Sequence, residues 1–531
     1  MSNGDALARA FEAGGEGLRS AGRLVRGEVV RRVGGPARAQ VITAFAAVLA
    51  LSSADAATVG AAAPQLHRSL HIDFAQIGLL SSVSLLTGAV FVLPVGVLVD
   101  RTKRMPLLAG SVALWSVASL FSAFAGSYTT LLLTRVALGA VTATAGPAIA
   151  SLTGDYFPAR ERGAVYSYIL SGEVAGTAAG FVVSSALASA ISWRAPFVAL
   201  AIPGFFLART LWRRIPEPMR GGQSHLEPGV DDLEAALAAA ARRASQDPAE
   251  APTREDELAQ RAVRRHGVRA DQRLVLRSDP RTMGLGRAIR YMFAVPTFVL
   301  MIISSSLGYF FFAGLQTFAL LFIERHYRVG FLTTDFVLLA LLAGALVGTL
   351  VSGRLTDELL RRGRLNARVW VPAICYLGAA ALLTVGFLGS HLTPALWFDV
   401  GGAALISAAN PPQDAARLDI MASGLWGRAE SVRTVVRSLA QALAPVLFGA
   451  LADLIAGIVP RQAPIGTHPS SASLSTGTGL QVTFLIMLVA LLAAGVILLR
   501  ARATYPTDVA TAAASSPPPR ATPPAPAPAR A

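Results

Sequence analysis

Apolar and polar positions in this chain are sorted into long blocks, without the short alternations of a soluble fold. A helix needs roughly 20 apolar residues to cross about 30 Å of hydrocarbon. About twelve runs meet that length, near residues 39–63, 75–99, 106–126, 129–152, 164–190, 196–212, 299–323, 332–352, 369–390, 394–412, 430–455 and 479–500. The pattern predicts an all-α membrane protein with twelve transmembrane helices in two six-helix bundles, because a polar stretch from Met219 to Arg287 separates the first six runs from the last six. The chain thus divides into an N-terminal segment (1–38), a bundle (39–212), a linker (213–298), a second bundle (299–500) and a tail (501–531). Within the linker, Asp231 to Ser245 has the spacing of an amphipathic helix. The Pro- and Ala-rich tail from Thr504 has nothing to bury and is expected to be disordered. The N-terminal segment is similar, with one interfacial helix expected near Ala6 to Val33; its length and arginines mark the first span as retained, not as a cleaved signal.

Composition agrees: 53% of residues are hydrophobic and 15% charged, which makes the bilayer the solvent. A net charge of +15 would otherwise suggest nucleic acid. The placement of the arginines excludes it, because they concentrate in alternate loops. Arg101, Lys103 and Arg104 follow span two, Arg160 and Arg162 follow span four, Arg361, Arg362, Arg364 and Arg368 follow span eight, and Arg417 and Arg428 follow span ten. The intervening loops hold few. The positive-inside rule therefore puts both termini in the cytoplasm, and the arginine- and alanine-rich usage suggests a bacterial plasma membrane. Lys103 is the only lysine and is followed by Arg104, so no P-loop for ATP exists. The single Cys375 excludes an intramolecular disulfide and a cysteine metal cluster. The histidines show no metal-ligand spacing and no Gly-x-Ser-x-Gly is present, so neither an enzyme nor a cofactor is expected.

Two copies of one turn report an internal duplication. Gly96 to Arg104 (GVLVDRTKR) closes span two, and Gly353 to Arg362 (GRLTDELLRR) closes span eight. A second echo pairs Asp155 to Tyr168 after span four with Leu418 to Arg433 after span ten.

On these motifs the chain resembles the major facilitator superfamily, from about Ala39 to Arg500. The family's signature after span two, approximately Gly-x-Leu-Ala-Asp-Arg-x-Gly-Arg-Arg, stands here as Gly96, Leu98, Asp100, Arg101 and Arg104, with Lys103 at the second glycine. Three stretches, residues 131–140, 155–168 and 427–453, are similar to the Spinster-like branch, whose members are linked to lysolipids and sphingolipids. The chain departs from that branch where Ala56 follows Asp55 and where Thr142 stands near the position of an acid. The resemblance implies alternating access around a central cavity lined by the first and fourth helices of each half.

Charges inside the spans are the candidate chemistry, since an isolated ion at mid-bilayer costs roughly 2.5 to 3.5 kcal/mol and usually faces a cavity or a partner. Asp55 in span one and Arg135 in span four lie at matching depth, on the order of 10 Å from the same face. They are expected to pair, with Asp55 as a proton-coupling group or, alternatively, as half of a static ion pair. Glu173 in span five and Arg437 in span eleven are further cavity candidates, for a second proton and an anionic head group; Asp399 is expected at the interface. Asp100, with Gly96, Arg101, Arg104 and Asp155, is expected to cap the start of span eleven near Arg428 to Arg433 as a gate latch, and Asp357 with Gly353 to do the same near Arg162. The alternative is a purely topogenic cluster. Gly172, Gly176 and Gly180 allow close helix approach in span five, and Tyr309 to Phe312 with Phe318 form an aromatic wall.

The sequence thus points to a monomeric secondary transporter that exports a small amphipathic or hydrophobic solute, coupled to protons, with membrane lipids as surroundings. Uptake of an organic anion held by Arg135 or Arg437 is the alternative within transport. A receptor or scaffold that moves nothing is the alternative from another class.

Overall fold

The structure is a computed structural model, and it describes residues 30–72, 74–220, 225–246, 263, 265–327, 329, 331–458 and 477–515. Most of the N-terminal helix expected near Ala6 to Val33 lies outside them, as does the tail beyond residue 515.

Twelve described helices are long and apolar enough to span a bilayer. Exposed apolar side chains such as Phe121, Phe206, Trp397 and Leu454 are the surface that lipid solvates. Spans one and five pack so closely that a Cβ on Gly172, Gly176 or Gly180 would strike the backbone of Ala46, Ala50 or Ala54. Small residues at every fourth position give one smooth strip of helix, which lets the backbones touch.

Spans four and ten are each broken at the same place. Span four runs as Tyr128–Thr142 and Ala145–Tyr156, with Gly146-Pro147 just beyond the break. Span ten runs as Leu392–Ala408 and Asn410–Asp419, with Pro411-Pro412 there. Proline has no N–H to donate and its ring crowds the carbonyl four residues back, so the hydrogen-bond ladder is interrupted while the segment continues. This moves the end of span ten from residue 412 to Asp419. Arg417, read from the sequence as a loop charge, is buried inside the protein together with Asp414.

The linker returns to the ends of the helices and defines what we call the linker face. Its amphipathic helix runs over Leu233–Gln246, and Leu226, Leu233 and Leu237 join the apolar core of the first bundle. The Leu226 N–H donates to the Tyr156 carbonyl at 2.8 Å. A second short helix, Leu285–Ala294, leads into span seven. The tail differs from its expectation: Tyr505–Ala514 is helical, with Tyr505, Asp508, Val509 and Ala512 buried. Its alanines and a single aromatic ring dock on a surface shared by span seven and the linker, a tertiary partner that local composition does not reveal.

Candidate functional site

The halves meet on the linker face at two crossings of the same design. Where span two ends, Asp100 accepts the Gly427 N–H at 2.9 Å, the Arg428 N–H at 3.2 Å and the Arg428 Nε–H at 2.7 Å. Both of these side chains are 0% exposed. Where span eight ends, Asp357 accepts the Ala164 N–H at 2.7 Å and Arg368 Nη2 at 2.9 Å. Each carboxylate sits on a helix start whose first amides have no intrahelical acceptor and whose dipole favours an anion. One turn before each aspartate stands a glycine. A Cβ on Gly96 would collide with Ser431, and one on Gly353 with Gly163 and Ser167, so only glycine lets these backbones cross at this distance. The same sequence offset separates Gly163 from Gly427 and Ser167 from Ser431, so the duplication shows in contacts.

A second tier of ion pairs stands behind the crossings. Arg104 at the start of span three pairs with Asp155 at the end of span four, and Arg368 at the start of span nine pairs with Asp419 at the end of span ten, the partners 51 residues apart in both cases. Glu217 of the linker accepts from Arg104 Nε at 2.8 Å and from the Met105 N–H at 2.7 Å. Arg220 donates to the Val99 carbonyl at 2.7 Å; burial, then the neighbouring Arg104, pushes its pKa down. Arg101 is exposed and donates to the linker carbonyls of Arg281 and Met283.

Of the expected gate residues, Arg162 lies beside its crossing and Arg433 does not. Asp357 caps the start of span five just beyond Arg162, and it takes a guanidinium from Arg368. Helical side chains lean toward the N-terminus, so Arg162 reaches back to the carbonyls of Phe157 at 3.2 Å and Gly154 at 2.9 Å. It also lies 3.6 Å from Asp419 and over the Trp426 ring at 5.1 Å, across the boundary between the halves. Arg433 is not at the latch, because its position is more than a turn beyond Arg428; it belongs to the cavity.

That cavity has a volume of about 230 Å³ and is lined by both halves. Its floor is a square of buried charges. Arg417 and Arg433 bond Asp414 at 2.9 and 3.2 Å, and Arg433 bonds Glu430 at 3.0 Å, with Arg417 also paired to Glu430. Two cations thus meet two anions. Glu173 and Arg437 on spans five and eleven also line the cavity, at equivalent depths because they are separated by the same offset as the crossing residues. Neither forms an ion pair among the described residues. The Arg437 guanidinium lies over the Tyr309 ring at 4.7 Å, and its Nε is buried without a hydrogen-bond partner. Leu49, Leu85, Val92, Ile149 and Ile169 give the remaining wall an apolar character.

Asp55 and Arg135 pair, as their depths predict. Arg135 Nη1 donates to Asp55 Oδ2 at 3.0 Å and Nη2 to Ser122 Oγ at 2.8 Å, and the guanidinium lies over the Phe197 ring at 4.8 Å. Asp55 is 3% and Arg135 1% exposed. The pair is enclosed within the first bundle, and neither residue lines the cavity. Asp399 is half-buried with its Oδ1 unpartnered, close against Gly386.

Sequence reasoning missed Asp414, Arg417 and Glu430, and misassigned Arg433. A signal existed in Asn410-Pro411-Pro412, which repeats the helix break near Gly146-Pro147 and so implies that span ten continues past its prolines.

The profile of the Major Facilitator Superfamily matches residues 45–445. Among curated relatives, the chain is 30% identical over 174 residues to the 4-hydroxybenzoate transporter PcaK of Pseudomonas putida, covering 33% of this chain and 39% of that one. It is 30% identical over 178 residues to the probable anion transporter 3, chloroplastic, of Arabidopsis thaliana (33% and 35%). It is 25% identical over 186 residues to the uncharacterized transporter YybO of Bacillus subtilis (35% and 43%). In each case the match spans less than half of the relative's length. Among solved structures, a bacterial homolog of the human lysosomal transporter Spinster, inward-facing and occupied, superimposes with a TM-score of 0.56 at 21% identity, covering 89% of this chain and 98% of that one; this likeness concerns the fold. The chain belongs to the Major Facilitator Superfamily, a family of membrane transporters.

Proposed function

We propose that this protein is a secondary transporter that carries a small amphipathic organic anion, a single ring bearing a carboxylate, together with a proton by alternating access. The observation that carries this reading is the charge arrangement of the cavity. Arg417 and Arg433 are neutralised by Asp414 and Glu430, which leaves Arg437 as the guanidinium free to bond a carboxylate, while its stacking on Tyr309 holds it in place. A volume of about 230 Å³ lies just under the usual range for drug-sized ligands, roughly 300–1,000 Å³, and suits one ring better than a lipid with long chains. Relatives named for 4-hydroxybenzoate and gallate transport support the same class. Glu173, at an equivalent depth to Arg437, is the proton carrier in this reading: proton and anion enter together, so the cavity's charge stays constant. Asp55 with Arg135 is a second coupling candidate, acting from inside the first bundle. In this reading the linker face is cytoplasmic, which the arginine distribution supports, and the protein works as a monomer in a bacterial plasma membrane. Export of an uncharged amphipathic solute is the second reading, favoured by the apolar wall.

The test is accumulation in proteoliposomes under an imposed pH gradient, with labelled 4-hydroxybenzoate, phenylpropionate and a lysolipid. Native protein is expected to concentrate the aromatic acids. Arg437→Gln should lower their uptake at least about tenfold, the effect of one charge-assisted pair. Glu173→Gln should keep exchange and lose gradient-driven accumulation. Lysolipid flux that ignores Arg437→Gln, without flux of the acids, would move the second reading to first place, and binding without any flux would favour a receptor.

A further inference from the structure

The C-terminal helix Tyr505–Ala514 and the linker converge on both crossings. Tyr505 is 1% exposed, and its hydroxyl donates to Asp419 Oδ2 at 2.7 Å. That carboxylate also holds Arg368 at 2.5 Å and approaches Arg162 of the other half. Further along the helix, Asp508 accepts the Thr297 N–H at 2.9 Å at the start of span seven. Thr511 Oγ1 accepts the Asp271 N–H at 2.9 Å and Ser515 Oγ accepts the Leu276 N–H at 3.0 Å, so the helix grips the linker. A few residues later the linker turns at Pro280–Thr282. There the carbonyls of Met283 and Pro280 accept from Arg428 at 2.8 and 3.1 Å, and those of Arg281 and Met283 accept from Arg101 of the first half. Arg428 is the residue that binds Asp100. One continuous set of contacts therefore runs from Asp419 through the C-terminal helix and the linker to the Asp100 crossing.

We propose that the C-terminal helix and the linker turn form a clasp across the linker face, in which Tyr505 is a positioning residue for Asp419, and that the clasp must loosen for the cavity to open on that side. Each crossing is a carboxylate on a helix start, and the clasp orients the arginine that completes it. A short helix that reaches both crossings, held by hydrogen bonds at its ends and by the apolar packing of Tyr505 and Val509, can undock as a unit. Control of opening then rests in the tail and linker, apart from the cavity, so the inference does not depend on the identity of the cargo.

The experiment uses the full chain in oriented vesicles, with Cys375→Ser and the cavity-lining Ser438→Cys, and follows labelling by a membrane-impermeant maleimide from each face. Tyr505→Phe removes one hydroxyl and keeps the ring. It is expected to raise labelling from the linker face about tenfold, the shift from one hydrogen bond to a charged group, and to lower labelling from the opposite face. Thr511→Ala with Ser515→Ala, which frees the helix from the linker without touching Asp419, should move labelling in the same direction. Purely structural packing would lower the thermal midpoint and leave the ratio of the two labelling rates unchanged. An unchanged ratio in both variants overturns the clasp, and so does an equal rise from both faces, which would mean general loosening.

Discussion

Asp100→Ala removes the acceptor of three hydrogen bonds at 2.9, 3.2 and 2.7 Å and leaves Arg428 buried without its counter-ion. Taking one partner from a buried pair costs roughly 3–5 kcal/mol. Arg428 keeps its bonds to Met283, Pro280 and Gly424, which favours the lower end, near 3 kcal/mol. The contact joins the two halves and is absent once they separate, so the loss falls almost wholly on the closed linker face. A shift of about 3 kcal/mol changes the ratio of closed to open molecules by roughly 150-fold. Asp100→Asn keeps an acceptor for the Gly427 amide and loses the charge, so its shift should be intermediate. Spin labels on the linker-face ends of spans three and nine would report the distance between the halves: closed in the native protein, predominantly open in Asp100→Ala. A distance distribution and a turnover rate both unchanged in Asp100→Ala would refute the latch and leave only a topogenic role for the charges there.

Three further outcomes follow from the same geometry. Gly353→Ala drives a methyl group into the Gly163 carbonyl and Ser167, and should open the linker face as Asp100→Ala does while leaving thermal stability in detergent within about 1–3 kcal/mol of native, the usual scale of overpacking; a closed, active Gly353→Ala would count against the close crossing. Asp55→Asn leaves Arg135 buried beside Ser122 and Phe197 and should abolish gradient-driven accumulation if the pair couples protons, or lower only the melting temperature if it is a static brace; transport and calorimetry on one preparation separate the two. Asp508 lies outside the spans, and burial, ahead of its bonds to Thr297, raises its pKa, with Asp271 adding to the rise. A raised carboxyl pKa favours the protonated form when docked, so docking of the C-terminal helix is strongest at low pH and weakens as pH climbs through the raised value. Hydrogen exchange of residues 505–514, corrected for intrinsic rates, should show protection falling with pH in the native chain and flat in Asp508→Asn.

The span count, the duplicated turn and the Asp55–Arg135 pair were legible because each rests on a local quantity: the length of an apolar run, a motif repeated after equivalent spans, or depth counted at 1.5 Å per residue. The cavity floor was not. Arg417 reads as a loop charge when apolar length alone defines a span, whereas a helix broken at Pro411-Pro412 carries Asp414 and Arg417 inward, where they meet Glu430 of span eleven. The C-terminal helix was missed for a different reason: Tyr505 and Asp508 gain their stability from Asp419 and Thr297, which are distant in sequence. That Arg368 supplies the guanidinium to Asp357 was not legible either, because spacing alone is silent on which way a helical side chain leans.

The closed linker face cannot be deeply stabilised by its charges, although many are buried there. Moving ions out of water costs several kcal/mol each, and paired charges in a protein interior recover that sum only when geometry is good and remaining donors are satisfied. Asp100 and Asp357 meet that condition by taking backbone amides as well as a guanidinium, so each crossing is close to balanced in net energy yet costly to leave half-made. A contact of this kind is suited to a switch. It specifies one arrangement of the halves, since a misregistered crossing strands a buried charge, and under the proposed function occupancy of the cavity is expected to overcome the small margin that holds it. Arg433 lies on the same helix as Arg428, a little over one turn further in, and bonds Asp414 and Glu430 on the cavity floor. Any motion of span eleven that follows from an anion on Arg437 is therefore transmitted along one rigid helix to Arg428, the residue on which the Asp100 crossing and the clasp converge.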